Sequence, residues 1–500
     1  MFHKILFNHL VVLLNRLICF IKVKQQKLKK MKIISKTFKI LPLLLVVFAF
    51  QACSNDDDNN TIVQPQQLDI VDTAIATPEL SSLVAAVQAA GLEDVLRGNG
   101  PFTVLAPTND AFDAFLNGTP LSQVDPAVLQ QILLNHVISA DVSAADLVSL
   151  SGADGKGYTR TNANGAGGEN ISILFDTSGA LPRFNNTASV VSAAFADVTA
   201  SNGTVHVIDA VLGLPDIVDH ALNNDNFTSL TGALSSENLV TVLQGTGPFT
   251  VFAPTNDAFA AFTNPNGNAL SDILLNHVLP TGPAFAASLS TSYRSTAATN
   301  ADSDNLSMFI NVGENVVING TSTVVATDIV GTNGVIHVVD NVIDLPTIAT
   351  FATSNTAALS SLVSALALAD TGSPTVPWIN TVSDTSAGPF TVFAPTNAAF
   401  EALLLELDPS GNTALGDIDP ATVDAVLLMH VANGNVRAED LPMLMGSVPV
   451  LSGETLDLDV NTLTLTDGLM RDIGIIAELT NIQAVNGVVH VVDTVIRPTP

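Results

Sequence analysis

The sequence predicts an α+β protein in which one domain is written three times in tandem. Two recurring phrases carry that reading. Pro-Phe-Thr-Val-Leu-Ala-Pro-Thr-Asn-Asp-Ala-Phe at 101–112 returns at 248–259 and 389–400 with few changes, and Asn-Gly-Thr-Val-His-Val-Ile-Asp at 202–209 returns at 333–340 and 486–493. Asn109 and Asn256 lie 147 residues apart, and Asn256 and Asn397 lie 141 apart. A solenoid unit is only about 20–50 residues, so the period is that of a whole domain. Each copy opens with a helical pattern, such as Leu80, Leu83, Val84 and Val87, and closes with strands.

The first phrase reads as strand, tight corner and capped helix. Phe-Thr-Val-Phe is aromatic and β-branched, which suits a pleated, half-buried surface. The proline that follows cannot donate to a ladder and biases the preceding alanine toward extended backbone. Thr108 and Asn109, with Thr255 and Asn256, and Thr396 and Asn397, then fall where a helix needs an N-cap. Ala111, Phe112 and Phe115 place apolar groups on one helical face.

The second phrase begins with Asn-Gly, a strong hairpin-turn signal. The run behind it is apolar on both alternating faces, which predicts a strand covered on both sides. His206, His337 and His490 lie inside that run. A second set of histidines, His136, His277 and His430, ends a leucine-rich helix reading Ile-Leu-Leu-Asn-His-Val, Ile-Leu-Leu-Asn-His-Val and Val-Leu-Leu-Met-His-Val.

These phrases resemble the H1 and H2 boxes of the fasciclin-like (FAS1) domain of fasciclin, periostin and βig-h3, and the leucine-rich helix is a third feature of that family. The resemblance covers roughly residues 69–500. It implies three tandem FAS1 domains, each a β-sheet wedge with a helical layer.

Composition narrows the function. The chain has 500 residues, 47% hydrophobic, enough for about three cores. Residues 1–53 hold ten of the 18 Lys and Arg and no acidic residue, so the remainder sets eight basic side chains against 47 acidic ones. A body this acidic repels nucleic acid and anionic lipid surfaces. Both cysteines, Cys19 and Cys53, precede the body, which excludes disulfides and thiolate chemistry there.

The N-terminal region reads as an export leader. Lys32, Lys36 and Lys39 precede an apolar core from Ile40 to Phe50, and Gln-Ala-Cys ends at Cys53. This resembles a bacterial lipoprotein signal over 31–53, with Cys53 as the lipid-accepting residue. An ordinary secretory signal or a single membrane anchor are the alternatives. Met31 then is the start, and residues 1–30 an upstream, non-native extension. Residues 54–68 form an acidic tether, whose Ser-Asn-Asp-Asp-Asp-Asn-Asn also resembles the signal that sends Bacteroidetes-type lipoproteins to the outer face of the outer membrane.

Domains are expected at 69–215, 216–346 and 347–500, meeting at Leu-Pro joints with no Gly/Ser linker, which suggests a semi-rigid array. The copies differ in length. Phe102 to His136 spans 34 residues, Phe249 to His277 spans 28 and Phe390 to His430 spans 40, so the second copy is short of a helical turn before its leucine helix. The third has an insertion with Pro374, Pro377 and Trp378, the chain's single tryptophan.

Candidate chemistry is sparse. The six repeated histidines lack His-x-x-x-His spacing and an accompanying carboxylate cluster, so they are expected to be hydrogen-bonded core residues holding backbone or the Thr/Asn corner. Metal and cofactor sites are not expected. Gly152–Gly157 and Gly165–Gly168 lack a P-loop ending and read as flexible loops. Asn300–Asn305 is similar to a calcium loop but lacks its glycine and its glutamate, and is read as a polar hairpin tip. Trp378 is the candidate exposed ligand-binding side chain, with folding back onto the third domain as the alternative.

The resemblance implies a non-catalytic adhesion protein binding extracellular matrix, polysaccharide or a cell-surface protein, touching the membrane only through its lipid and facing outward from the outer membrane. A structural spacer without a specific ligand is the alternative. Animal relatives carry integrin-binding Tyr-His and Asp-Ile motifs, but Val205, Ile336 and Val489 precede the histidines here, so integrin binding is not implied.

Overall fold

The two recurring phrases lie side by side. In a computed structural model of the chain, strand Phe102–Pro107 runs parallel to Gly203–Ile208, position for position, with Leu105 opposite His206. Phe249–Pro254 pairs likewise with Gly334–Val339, and Phe390–Pro395 with Gly487–Val492. The structure describes residues 67–444, 446–459 and 461–499. The expected leader, Cys53 and nearly all of the acidic tether lie outside these residues.

Each domain builds a central sheet on that parallel pair. In the first, Val137–Ile138 flanks one side and Val198–Ala200 the other, both antiparallel. The long crossover between the parallel strands carries a second antiparallel sheet, Lys156–Asn164, Asn170–Asp176, Arg183–Phe184 and Ala188–Ser189. In the middle domain the two sheets fuse into seven strands, because Ser322–Val330 belongs to both. The third domain repeats the separate arrangement.

Burial explains the apolar runs. Val104, Ala106, Val205 and Val207 pack against the helical layer with Leu80, Leu83, Phe112, Leu129 and Leu133. Leu105 and Ile208, on the opposite face, pack with Ile173, Phe175 and Phe184 of the second sheet. The central strands are thus covered on both sides, each large side chain gaining about 1.5–3 kcal/mol from burial.

The corner forms as the sequence predicts. Thr108, Thr255 and Thr396 cap the following helices, accepting from the N–H of Ala111, Ala258 and Ala399 at 3.2, 3.2 and 3.1 Å. The asparagine beside each cap ties two helices together. Asn109 accepts from Ser82 N–H at 2.8 Å and donates to Pro78 O at 3.0 Å. Asn256 and Asn397 do the same with Ser229 and Asp225, and with Ser361 and Ala357.

The length differences fall in the capped helix (Asn109–Leu116, Asn256–Ala261 and Asn397–Leu407), in the leucine helix and in the segment joining them. The leucine helix is Pro126–Leu134 in the first domain, Leu270–Leu275 in the second and Pro420–Leu428 in the third. The third domain's insertion forms its own short helix, Trp378–Ser383.

Candidate functional site

The six repeated histidines are brought together domain by domain as two fixed fasteners. Each ring of the first set closes the end of its leucine helix. His136 Nδ1–H donates to Ile132 O at 2.7 Å, and Nε2 accepts from Leu212 N–H at 2.9 Å. His277 joins Ile273 O to Ile343 N–H, and His430 joins Val426 O to Ile496 N–H. A carbonyl can only accept and an amide N–H only donate, so each ring is neutral and its tautomer is fixed. Burial pushes all three down to about 4.

The second set uses the opposite tautomer. His206, His337 and His490 donate from Nε2 to Val142, Ala284 and Val436 carbonyls at 2.9, 2.7 and 2.9 Å. Their Nδ1 atoms face the N–H of Asp197, Asp328 and Asn481 at 3.2, 3.4 and 3.4 Å. Burial lowers the pKa of His337 and of His490. The partners are backbone groups throughout, so the Thr/Asn corner, expected as one possible partner, is not used. Among the described residues no three His, Cys, Asp or Glu side chains gather as a metal-binding group.

The asparagine of Asn-Gly does more than turn the chain. Asn202 accepts from Ile70 N–H at 3.0 Å and donates to the Leu96 and Gly98 carbonyls at 2.8 Å. Asn333 and Asn486 repeat all of these bonds, so the residue anchors the first helix of every domain. Its presence in all three phrases was the signal for this role. The glycine after it is required because a Cβ at Gly203 or Gly487 would collide with the carbonyl of Phe102 or Phe390.

Trp378 corrects the expectation of an exposed recognition residue. It is 1% exposed, and its indole N–H donates to Asp424 Oδ1 at 2.7 Å. The insertion folds back over the third domain because the indole fills a core gap while its N–H meets a buried carboxylate.

The joints hold features that the sequence reading left aside. Val330 N–H donates to Ser172 Oγ across the first joint, and Gln483 N–H donates to Ser307 Oγ across the second, both at 2.9 Å. The glycine loop 165–168 is a docking edge in place of a loose loop. Ala166 N–H donates to Gly331 O at 2.9 Å, and a Cβ at Gly165 would press into Val330 and Gly331. The tip at Asn300–Asn305 is a hairpin end that docks too. Asp304 accepts from Asn435 and Arg437, and Asn300 donates to Gln483. Arg160, on strand Lys156–Asn164, donates to Asn170 O at 2.6 Å and across the joint to Asp328 O at 2.7 Å.

The fasciclin domain family model matches this chain three times, over residues 78–215, 225–346 and 358–498. The chain belongs to the fasciclin (FAS1) family. Its three FAS1 domains are 28% identical over 430 residues to the transforming growth factor-beta-induced protein ig-h3 of Sus scrofa, covering 83% of this chain and 56% of that protein. The chain therefore spans little more than half of that relative's length. Protein sll1483 of Synechocystis is 40% identical over 146 residues, 29% of this chain and 72% of that one. Human periostin is 26% identical over 268 residues, 51% of this chain and 28% of its own. A solved FAS1 domain pair from the insect cell adhesion molecule Fasciclin I aligns with 53% of this chain and 96% of its own, at 21% identity and a TM-score of 0.33. Among the described residues no helix is long and apolar enough to cross a membrane.

Proposed function

We propose that this chain is an exported, lipid-anchored adhesion protein that binds matrix, polysaccharide or neighbouring cell surfaces without catalysis. The observation that carries the reading is what the repeats use their polar groups for. All six repeated histidines engage backbone groups with both ring nitrogens, and both joints are fastened by equivalent side-chain bonds. What repeats is a scaffold for presenting surfaces, which is what tandem binding modules need. Membership of the fasciclin family supports the same reading. Three weak contacts on linked domains would gain avidity through effective concentration.

Cys53 is the proposed lipid attachment point, residues 54–68 the tether, and the outer face of the outer membrane the destination. Protease shaving of intact cells, with mass spectrometry of the mature N-terminus, tests this part. Release of the FAS1 domains and a lipidated Cys53 are expected, whereas a protected body would move the protein to the periplasm. Adhesion is tested by binding of the three-domain chain and of single domains to immobilised matrix proteins, polysaccharides and cells. Binding by the three-domain chain that exceeds the single domains at least tenfold is expected. No binding by either would leave a spacer role.

A further inference from the structure

We propose that the cleft between the first and second FAS1 domains binds a small acidic saccharide, its acid group held by Arg160, with Lys156 on the rim. The proposal rests on the reading of the chain as a binding protein and names a ligand chemistry for it. The cleft encloses about 590 Å³, within the size range of small-molecule sites. Lys156, Tyr158 and Arg160 occupy alternate positions of strand Lys156–Asn164 and all three line it. Asn226, Thr255 and Thr327 line it too, adding amide and hydroxyl groups suited to sugar hydroxyls.

The lining's two cations are balanced by two carboxylates, so what points to an acid is the one guanidinium without a carboxylate partner. The body after residue 53 has eight basic residues, and two of them face this one cleft. Two carboxylates also line it, but both are engaged. Asp154 accepts from Asn226 Nδ2 at 3.0 Å and from Lys156 N–H at 3.2 Å, while Asp328 accepts from Ala286 N–H at 2.9 Å. Lys156 Nζ meets Asp225 at 2.8 Å on the rim. The guanidinium of Arg160 meets only two carbonyl oxygens and, among the described residues, no carboxylate within 4.0 Å. Two of its five N–H donors are thus used, which leaves three for an acid group. The acidic body disfavours a long polyanion, so the occupant is one acid group on a sugar-sized frame. The second joint lacks the pair: in register with Ser307, where Arg160 pairs with Ser172, stands Ser295.

Calorimetric titration of the full chain with glucuronate, glucose and acetate tests the proposal. Glucuronate is expected to bind, with glucose and acetate each about tenfold weaker or worse. Arg160→Gln should weaken glucuronate by about tenfold or more, and Arg160→Lys by less. Lys156→Gln, which removes a rim amine and its largely exposed pair with Asp225 but leaves the Arg160 bonds across the joint, should weaken it with only a small change in the melting profile. Equal binding of glucose and glucuronate, or glucuronate affinity untouched in both Gln variants, would overturn the assignment. Glucuronate binding by a chain that adheres to no surface would sink adhesion and leave the cleft standing. The reverse result would do the opposite.

Discussion

Asn224 donates its side-chain amide to the Tyr158 hydroxyl at 3.2 Å across the first joint, and Asn355 repeats this bond to Tyr293 at the second, also at 3.2 Å. These are the chain's two tyrosines. Each ring also meets an aromatic edge from the following domain, His220 at 5.9 Å and Phe351 at 5.5 Å. Burial pushes both phenols up to about 12. The joints are therefore built to one plan, with Phe351 standing where His220 stands.

Tyr158→Phe removes one hydrogen bond and leaves Asn224 short of an acceptor, at a cost of about 1 kcal/mol. Tyr158→Ala also empties the aromatic contact. We expect it to split a shared calorimetric transition of the first two domains into two, while the third domain melts unchanged. A single unaltered transition would show that the joint does not couple them.

His136→Ala breaks a fastener that joins the leucine helix to the segment after the central strand. It leaves the Leu212 N–H buried without its acceptor and opens a void. A loss of about 2–4 kcal/mol confined to the first domain is expected from denaturant titration. His277→Ala and His430→Ala should act alike in their own domains.

Acid should weaken the fold in a defined window. His136, His220, His277 and His430 each have a folded pKa lowered to about 4 from the ordinary 6.5, because burial disfavours the charged ring. The unfolded chain therefore binds protons first. Stability contributed by these groups is complete above 6.5, falls as pH drops toward 4, and is lost below it. Each group can account for on the order of 3 kcal/mol. His220 has a buried Nδ1 with no partner, and it packs on Tyr158 at the first joint. Melting curves between pH 7 and 4 should show the first joint failing earlier than the second, and His220→Phe should remove that difference.

Trp378 offers a direct optical check, since it is the single tryptophan. Its emission should be blue-shifted and resist acrylamide quenching in the folded protein. Trp378→Phe would take the indole donor from Asp424, which is 7% exposed and is otherwise held by Thr375. We expect a loss of about 2 kcal/mol in the third domain. A red, readily quenched emission would contradict the buried position.

Burial patterns in the second sheets were partly legible before folding. Ile171, Ser172, Ile173, Leu174 and Phe175 are all buried because the next domain covers their outer face. The equivalent strand of the third domain, Thr455–Asp459, alternates buried Leu456 and Leu458 with exposed Asp457 and Asp459. Its outer face is acidic and exposed among the described residues. Alternation in the sequence thus matches a strand with one wet face, whereas Ile171-Ser172-Ile173 alternates too, and its outer face is dry only because the next domain docks there. The glycine loop 165–168 and the hairpin tip at 300–305 gave no such sign. Their small and polar residues suit open solvent as well as a polar joint.

By itself the sequence determined the repeat, the α+β class, the capped corners and the buried central strands. Each of these follows from local preference or from a periodicity that shows in a few consecutive residues. It also marked the histidines as core residues, because they interrupt runs that must be buried. Only the tertiary structure decided which backbone groups each imidazole joins, since His136 reaches Leu212 across 76 residues. It alone turned Trp378 inward and set Arg160 against Asp328, 168 residues away. Those outcomes depend on which surfaces meet when domains dock, and no local pattern encodes a partner that far along the chain.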